Sequence, residues 1–100
     1  MENKLIIGGL YSLSNIPNTY FVYLKENSYD ELYFFEVKTE FSDLKNVIDE
    51  VIPDISYESK SILFERILST DKQFFLRNYS GFLGSVPDWI LKKMLELEKD

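Results

Sequence analysis

Over the first forty positions apolar residues cluster or alternate as strands do; beyond them they recur every three to four residues. Leu5-Ile6-Ile7 and Leu10-Tyr11 predict a first strand interrupted by Gly8-Gly9. Paired glycines inside a strand pattern mark a bulge or a close backbone approach. Asn15-Ile16-Pro17-Asn18 predicts a turn, because proline presets its own φ and asparagine tolerates unusual backbone angles. Tyr20 to Leu24 is aromatic and β-branched, a composition suited to a half-buried pleated surface. Glu26 to Asp30 turns the chain and Leu32 to Lys38 returns it. The segment 20–38 is therefore a hairpin, within an antiparallel β-meander of about three strands.

After Thr39 the period lengthens. Phe41, Leu44, Val47, Ile48, Val51 and Ile52 form one helical stripe that Thr39 or Ser42 can cap and Pro53 stops. Asp54 or Ser56 opens a second helix with Ile62, Leu63, Arg66 and Ile67 on its stripe, broadened by Phe64 and Leu68. Thr70 and Gln73 have capping-box spacing, which predicts a short helix over 71–79 ending at Gly81. Phe74-Phe75-Leu76 also suits a strand, so 74–79 stays open between the two. Ser85-Val86-Pro87-Asp88 starts a last amphipathic helix through Trp89, Ile90, Leu91, Met94, Leu95 and Leu97. Strands followed by three or four amphipathic helices predict an α+β fold. With 100 residues, no repeat and no linker-like stretch, the expectation is a single domain, 1–100.

Composition narrows the chemistry. There is no cysteine and no histidine, which excludes disulfides, thiolate nucleophiles and zinc-thiolate sites and removes the commonest general base. No stretch reaches the roughly 20 apolar residues of a membrane-spanning helix, and no basic, apolar leader is recognisable, so the expected location is cytoplasmic, with no membrane partner.

The charge is unevenly placed. The net charge is −6, yet residues 26–58 hold ten acidic side chains against Lys38 and Lys45. They are Glu26, Asp30, Glu31, Glu36, Glu40, Asp43, Asp49, Glu50, Asp54 and Glu58. On the first helix Asp43 and Glu50 stand seven apart with Asp49 beside them, off the apolar stripe. If that helix approaches the hairpin tip, the acids make one surface. Such a surface either keeps the chain dissolved or recognises a basic partner, and a concentrated field of this kind can raise on-rates roughly 10–10³-fold. Direct nucleic-acid binding is disfavoured, because neutralising phosphates takes basic patches.

Two fragments resemble the carboxylate–lysine signature of the PD-(D/E)xK metal-dependent nucleases. Phe35-Glu36-Val37-Lys38 is similar to the E-x-K strand, and Pro53-Asp54 with Glu58-Ser59-Lys60 mimics the whole motif. The resemblance implies Mg²⁺ held between carboxylates on neighbouring strands. Asp30, however, lies roughly 20 Å along an extended strand from Glu36, and across the hairpin Glu36 faces the region of Phe21. The second fragment spans a helix start rather than paired strands. Serines lack a histidine base, and the acids lack the loop and glycine of an EF-hand. No catalytic residue, metal site or cofactor is expected.

The hairpin concentrates Tyr20, Phe21, Tyr23, Tyr33, Phe34 and Phe35. Helices over both faces would make these rings core; with one face bare they form a protein-binding surface. The leading expectation is a small acidic protein that occludes a basic partner, in the manner of a toxin-immunity protein or a nuclease inhibitor, phage-encoded ones included. Its binding residues would be Glu26, Tyr29, Asp30, Glu31, Glu40, Asp43, Asp49, Glu50, Asp54, Tyr57 and Glu58. The rival is a homo-oligomeric structural or regulatory subunit, a homodimer for example, built through the aromatic hairpin or the last helix.

Overall fold

Five strands form one antiparallel sheet in a computed structural model that describes residues 5–52 and 67–98. They are β1 (Gly9–Leu13), β2 (Ile16–Glu26), β3 (Glu31–Lys38), β4 (Ile67–Asp71) and β5 (Tyr79–Ser85), in spatial order β4-β3-β2-β1-β5. Three short helices accompany them: α1 (Leu44–Asn46), which runs into a π-helical stretch over Val47–Val51, α2 (Lys72–Asn78) and α3 (Asp88–Glu98).

The expected three-stranded meander followed by three or four amphipathic helices is thereby overturned. Ile67 and Leu68, assigned by their period to a second helix, lie in β4 opposite Phe35 and Phe34 of β3. A local period cannot reveal a partner more than thirty residues away. Tyr79–Ser85 carries two glycines and shifts register twice against β1, so it shows no clean alternation to read. Thr70 belongs to β4, and it is Asp71 that caps α2, accepting a hydrogen bond from the Phe74 N–H at 3.1 Å. Ser85 ends β5. The rest of the expected second helix, from Asp54 to Arg66, lies outside the described residues.

Two turns differ in detail. The β1–β2 connection is the pair Ser14-Asn15, and β2 already begins at Ile16. Pro17 and Asn18 instead mark an irregularity where the register jumps from Ser12↔Tyr20 to Leu13↔Ile16, with Asn18 at φ 57°. The first strand starts at Gly9, because Gly8, at φ 85°, turns the chain and donates its N–H to the Tyr23 carbonyl at 2.7 Å.

Alternation along β2 and β3 sends two different sets of side chains to the two faces. One face is mainly aliphatic: Leu10, Val22, Leu24, Phe35 and Val37 pack under Val47, Ile52, Val86, Ile90 and Met94 from the helical layer. Val47 and Ile52 are five residues apart, an interval that would point them in different directions on an α-helix. The π-type bond from the Ile52 N–H to the Val47 carbonyl brings both into the core. The other face is mainly aromatic: Tyr11, Phe21, Tyr23 and Phe34 gather with Leu13 and Leu32 around Phe75 of α2. Phe75 stacks on Phe34 with centroids 4.5 Å apart and meets Tyr11 edge-on at 5.9 Å. Helices thus lie on both faces of the hairpin, and Phe21, Tyr23, Phe34 and Phe35 are core.

The connection β4–α2–β5 joins the two opposite edges of the sheet, roughly 19 Å apart at the usual strand spacing. α2 has seven residues and is about 10 Å long, so it crosses the aromatic face without covering it.

Candidate functional site

The β2–β3 turn is built as a rigid display. Asn27 opens it: its side-chain oxygen accepts from the Tyr29 N–H at 2.8 Å and the Glu31 N–H at 3.1 Å, and its own N–H donates to the Glu31 carbonyl. Its amide nitrogen donates to the Glu31 carboxylate at 2.8 Å. Asp30 sits at φ 60°, a conformation that aspartate tolerates better than most residues. The start of α2 fastens the turn from outside. The Lys72 N–H donates to the Asp30 carbonyl at 2.9 Å, and the Lys72 ammonium lies 3.3 Å from the Glu26 carboxylate. Tyr29 projects from this turn with 82% of its surface exposed.

Four carboxylates belong to this end of the hairpin. Glu26, Asp30 and Glu31 belong to the hairpin, and the register Glu31↔Asp71 adds Asp71 from β4. Just below the turn, the Tyr23 hydroxyl has its pKa raised, first by burial and then by the charges of Glu26 and Tyr11. Asp71 was not among the residues singled out from the sequence. Only the β3–β4 pairing brings it here, and no local signal could have found it.

The other described acids lie elsewhere. β3 runs for seven residue steps, roughly 23 Å, between the turn and Lys38. Glu40 and Asp43 follow that far end, where Asp43 caps α1 by accepting from the Asn46 N–H at 2.8 Å. Asp49 and Glu50 are exposed on the helical layer over the aliphatic face, and Asp49 is paired with Lys45, whose pKa this bond raises. The turn and the start of α1 therefore do not merge into one acidic surface. Asp54, Tyr57 and Glu58 lie outside the described residues.

A second feature appears on the aromatic face, where α2 stops short. A groove of about 190 Å³ opens beside β4, floored by Phe21 and Phe34 and walled by Leu68 and Phe74. Leu68 is 38% exposed and Phe74 44%. Glu36 lines it too, in register with Phe21 and 3.8 Å from Lys38. The Phe74-Phe75 doublet held the one available signal: on a short helix against a single sheet, adjacent rings cannot both face inward. Among the described residues no three acidic side chains gather closely enough to hold a metal ion, and no helix is long and apolar enough to cross a membrane.

Fold and sites together define a small α+β domain with an aromatic sheet face and a displayed hairpin turn. Comparison with protein-family models, with curated proteins and with solved structures finds no match to this chain.

Proposed function

We propose that this chain is a protein-binding domain that acts by occlusion, docking its β2–β3 turn on a basic surface of another protein. The observation that carries the reading is Tyr29, held 82% exposed on a turn pinned by Asn27 and Lys72, at the end of the hairpin that also carries Glu26, Asp30 and Glu31 and pairs with Asp71. An aromatic side chain on a pre-ordered loop binds with little further loss of conformational freedom. Tyrosine is enriched among the residues that dominate binding energy, and carboxylates at the same end of the hairpin steer a basic surface into place. A site that binds nucleic acid is a basic surface of this kind, which makes a nuclease a natural partner and an immunity protein or nuclease inhibitor the natural role. The reading needs no catalytic residue and no cofactor, and it suits the cytosol, where a chain without cysteine forgoes nothing.

The test is capture of partners from native lysate on the immobilised chain, with elution by a salt gradient. A basic protein should elute as salt rises, and the Asp30→Lys, Glu31→Lys double variant should slow its association at least tenfold at low salt. Tyr29→Ala should weaken binding by about 2 kcal/mol or more, as truncation of a central anchor does. Unchanged association after charge reversal, or a tight homodimer indifferent to salt as the only complex found, would overturn the proposal.

A further inference from the structure

The groove beside β4 is too small for most small-molecule ligands, whose sites run to roughly 300–1,000 Å³. It is large enough for one bulky side chain, since an apolar cavity of about 150 Å³ accepts benzene. Its walls are partly exposed apolar side chains, Leu68 and Phe74.

β4 is also an edge strand. Among the described residues nothing pairs with its outer side, and an edge strand points unpaired N–H and C=O groups outward. The two edges of this sheet differ. β5 shifts register twice against its neighbour, which blunts it as a template for another strand. β4 pairs with β3 without a shift from Glu31↔Asp71 to Phe35↔Ile67. The regular edge is the one beside the groove.

Charge identifies the occupant. Glu36 is the ionisable side chain among the groove's lining residues, and its neighbour Lys38 reaches it only at 3.8 Å from a side chain that is 69% exposed. The other end of β4 belongs to the hairpin turn, where Asp71 caps α2, Glu31 accepts from the Asn27 amide and the Lys72 ammonium lies on Glu26. The groove end of the strand therefore favours a cation.

We infer that β4 and its groove form a second binding site, for an extended basic segment of a partner protein that adds to the β4 edge, seats one aromatic or large aliphatic side chain between Leu68 and Phe74, and sets a lysine or arginine against Glu36. In an extended segment every second side chain shares a face, so the anchor and its flanking cations belong at alternate positions. The site is separate from the hairpin turn and does not depend on Tyr29.

The test uses a probe peptide, acetyl-Lys-Val-Phe-Val-Lys-amide, titrated into the isotopically labelled chain and followed by NMR. Saturable shifts are expected at the β4 amides and at Phe21, Phe34 and Phe74. Replacing the central phenylalanine of the probe by serine, or both its lysines by glutamate, should weaken binding about tenfold each, a change of 1.4 kcal/mol. Leu68→Ser and Phe74→Ser should abolish the shifts while the fold persists, as both side chains are partly in water. Glu36→Gln should retain the phenylalanine preference and reduce the lysine preference, and Tyr29→Ala, which acts on the turn, should leave the probe's affinity and its β4 shifts as they are. Absence of saturation at millimolar peptide, shifts that track the hairpin turn, equal binding of the glutamate probe, or a dimer of the chain that buries β4 would each overturn the inference.

Discussion

The aliphatic and aromatic faces of the sheet each carry a buried cluster, yet the two are closed by different means. On the aliphatic face Val47, Ile52, Val86, Ile90 and Met94 come down from separate parts of the helical layer. On the aromatic face α2 contributes one fully buried side chain, Phe75, and the rings of Phe34 and Tyr11 do the rest. Many small aliphatic groups fill space completely but need several elements to deliver them. A few large rings cover much area from a short helix and leave gaps between them. The groove lies where it does for that reason: it is the part of the aromatic face that a seven-residue helix cannot reach.

Removing the single anchor should separate the two faces most sharply. Phe75→Ala should destabilise the chain by about 3–5 kcal/mol, measured by urea unfolding, whereas Phe74→Ala, one residue away, should stay within about 1 kcal/mol. Similar losses at both positions would mean that α2 is held along its whole length. On the aliphatic face Ile90→Ala should cost about 2–5 kcal/mol.

A smaller effect tests how tightly the aliphatic side is closed. Gly84 has φ 142°, and a Cβ placed there would collide with the Leu44 Cδ2 of α1. Gly84→Ala should therefore cost about 1–3 kcal/mol. The same substitution in a Leu44→Ala background should cost less, because the collision is gone even though the backbone strain remains. Additive losses would show that backbone conformation alone demands glycine.

The smallest effect concerns pH and belongs to the aromatic face. Burial raises the hydroxyl pKa of Tyr11, against a hydrogen bond from the Ile6 N–H that lowers it, and burial raises that of Tyr23 too. A group whose folded pKa lies above its unfolded value stabilises the fold below the unfolded pKa and loses that contribution as pH rises through the folded one. Stability should be level up to about pH 10 and fall beyond it. Urea midpoints from pH 8 to 11 measure the decline, and Tyr23→Phe should make it shallower. A decline unchanged in both Tyr11→Phe and Tyr23→Phe would remove the aromatic face as its source.

Legibility in the sequence tracks the range of the interaction. The hairpin over 20–38 was visible because its strands are neighbours in sequence, and Glu36 stands opposite Phe21 as that pairing requires. Glu26, Tyr29, Asp30 and Glu31 come together on one turn for the same reason. Asp71, Leu68 and Phe74 did not stand out as surface residues, because their positions depend on β4 pairing with β3 across more than thirty residues of chain. Glu40 and Asp43 share a stretch of sequence with the turn acids without sharing a surface, since a strand carries its two ends roughly 23 Å apart.

Local chemistry alone dictates that residues 20–38 fold back as an aromatic hairpin, that Asn27 and Asp30 turn it, and that these residues supply no thiol or imidazole chemistry. The assembled sheet had to choose which strands stand at the edges, which ring of Phe74-Phe75 is buried, and that Asp71 joins the carboxylates at the hairpin turn. Hairpins and caps depend on neighbours a few residues apart, whereas sheet order depends on pairings whose partners no local pattern names.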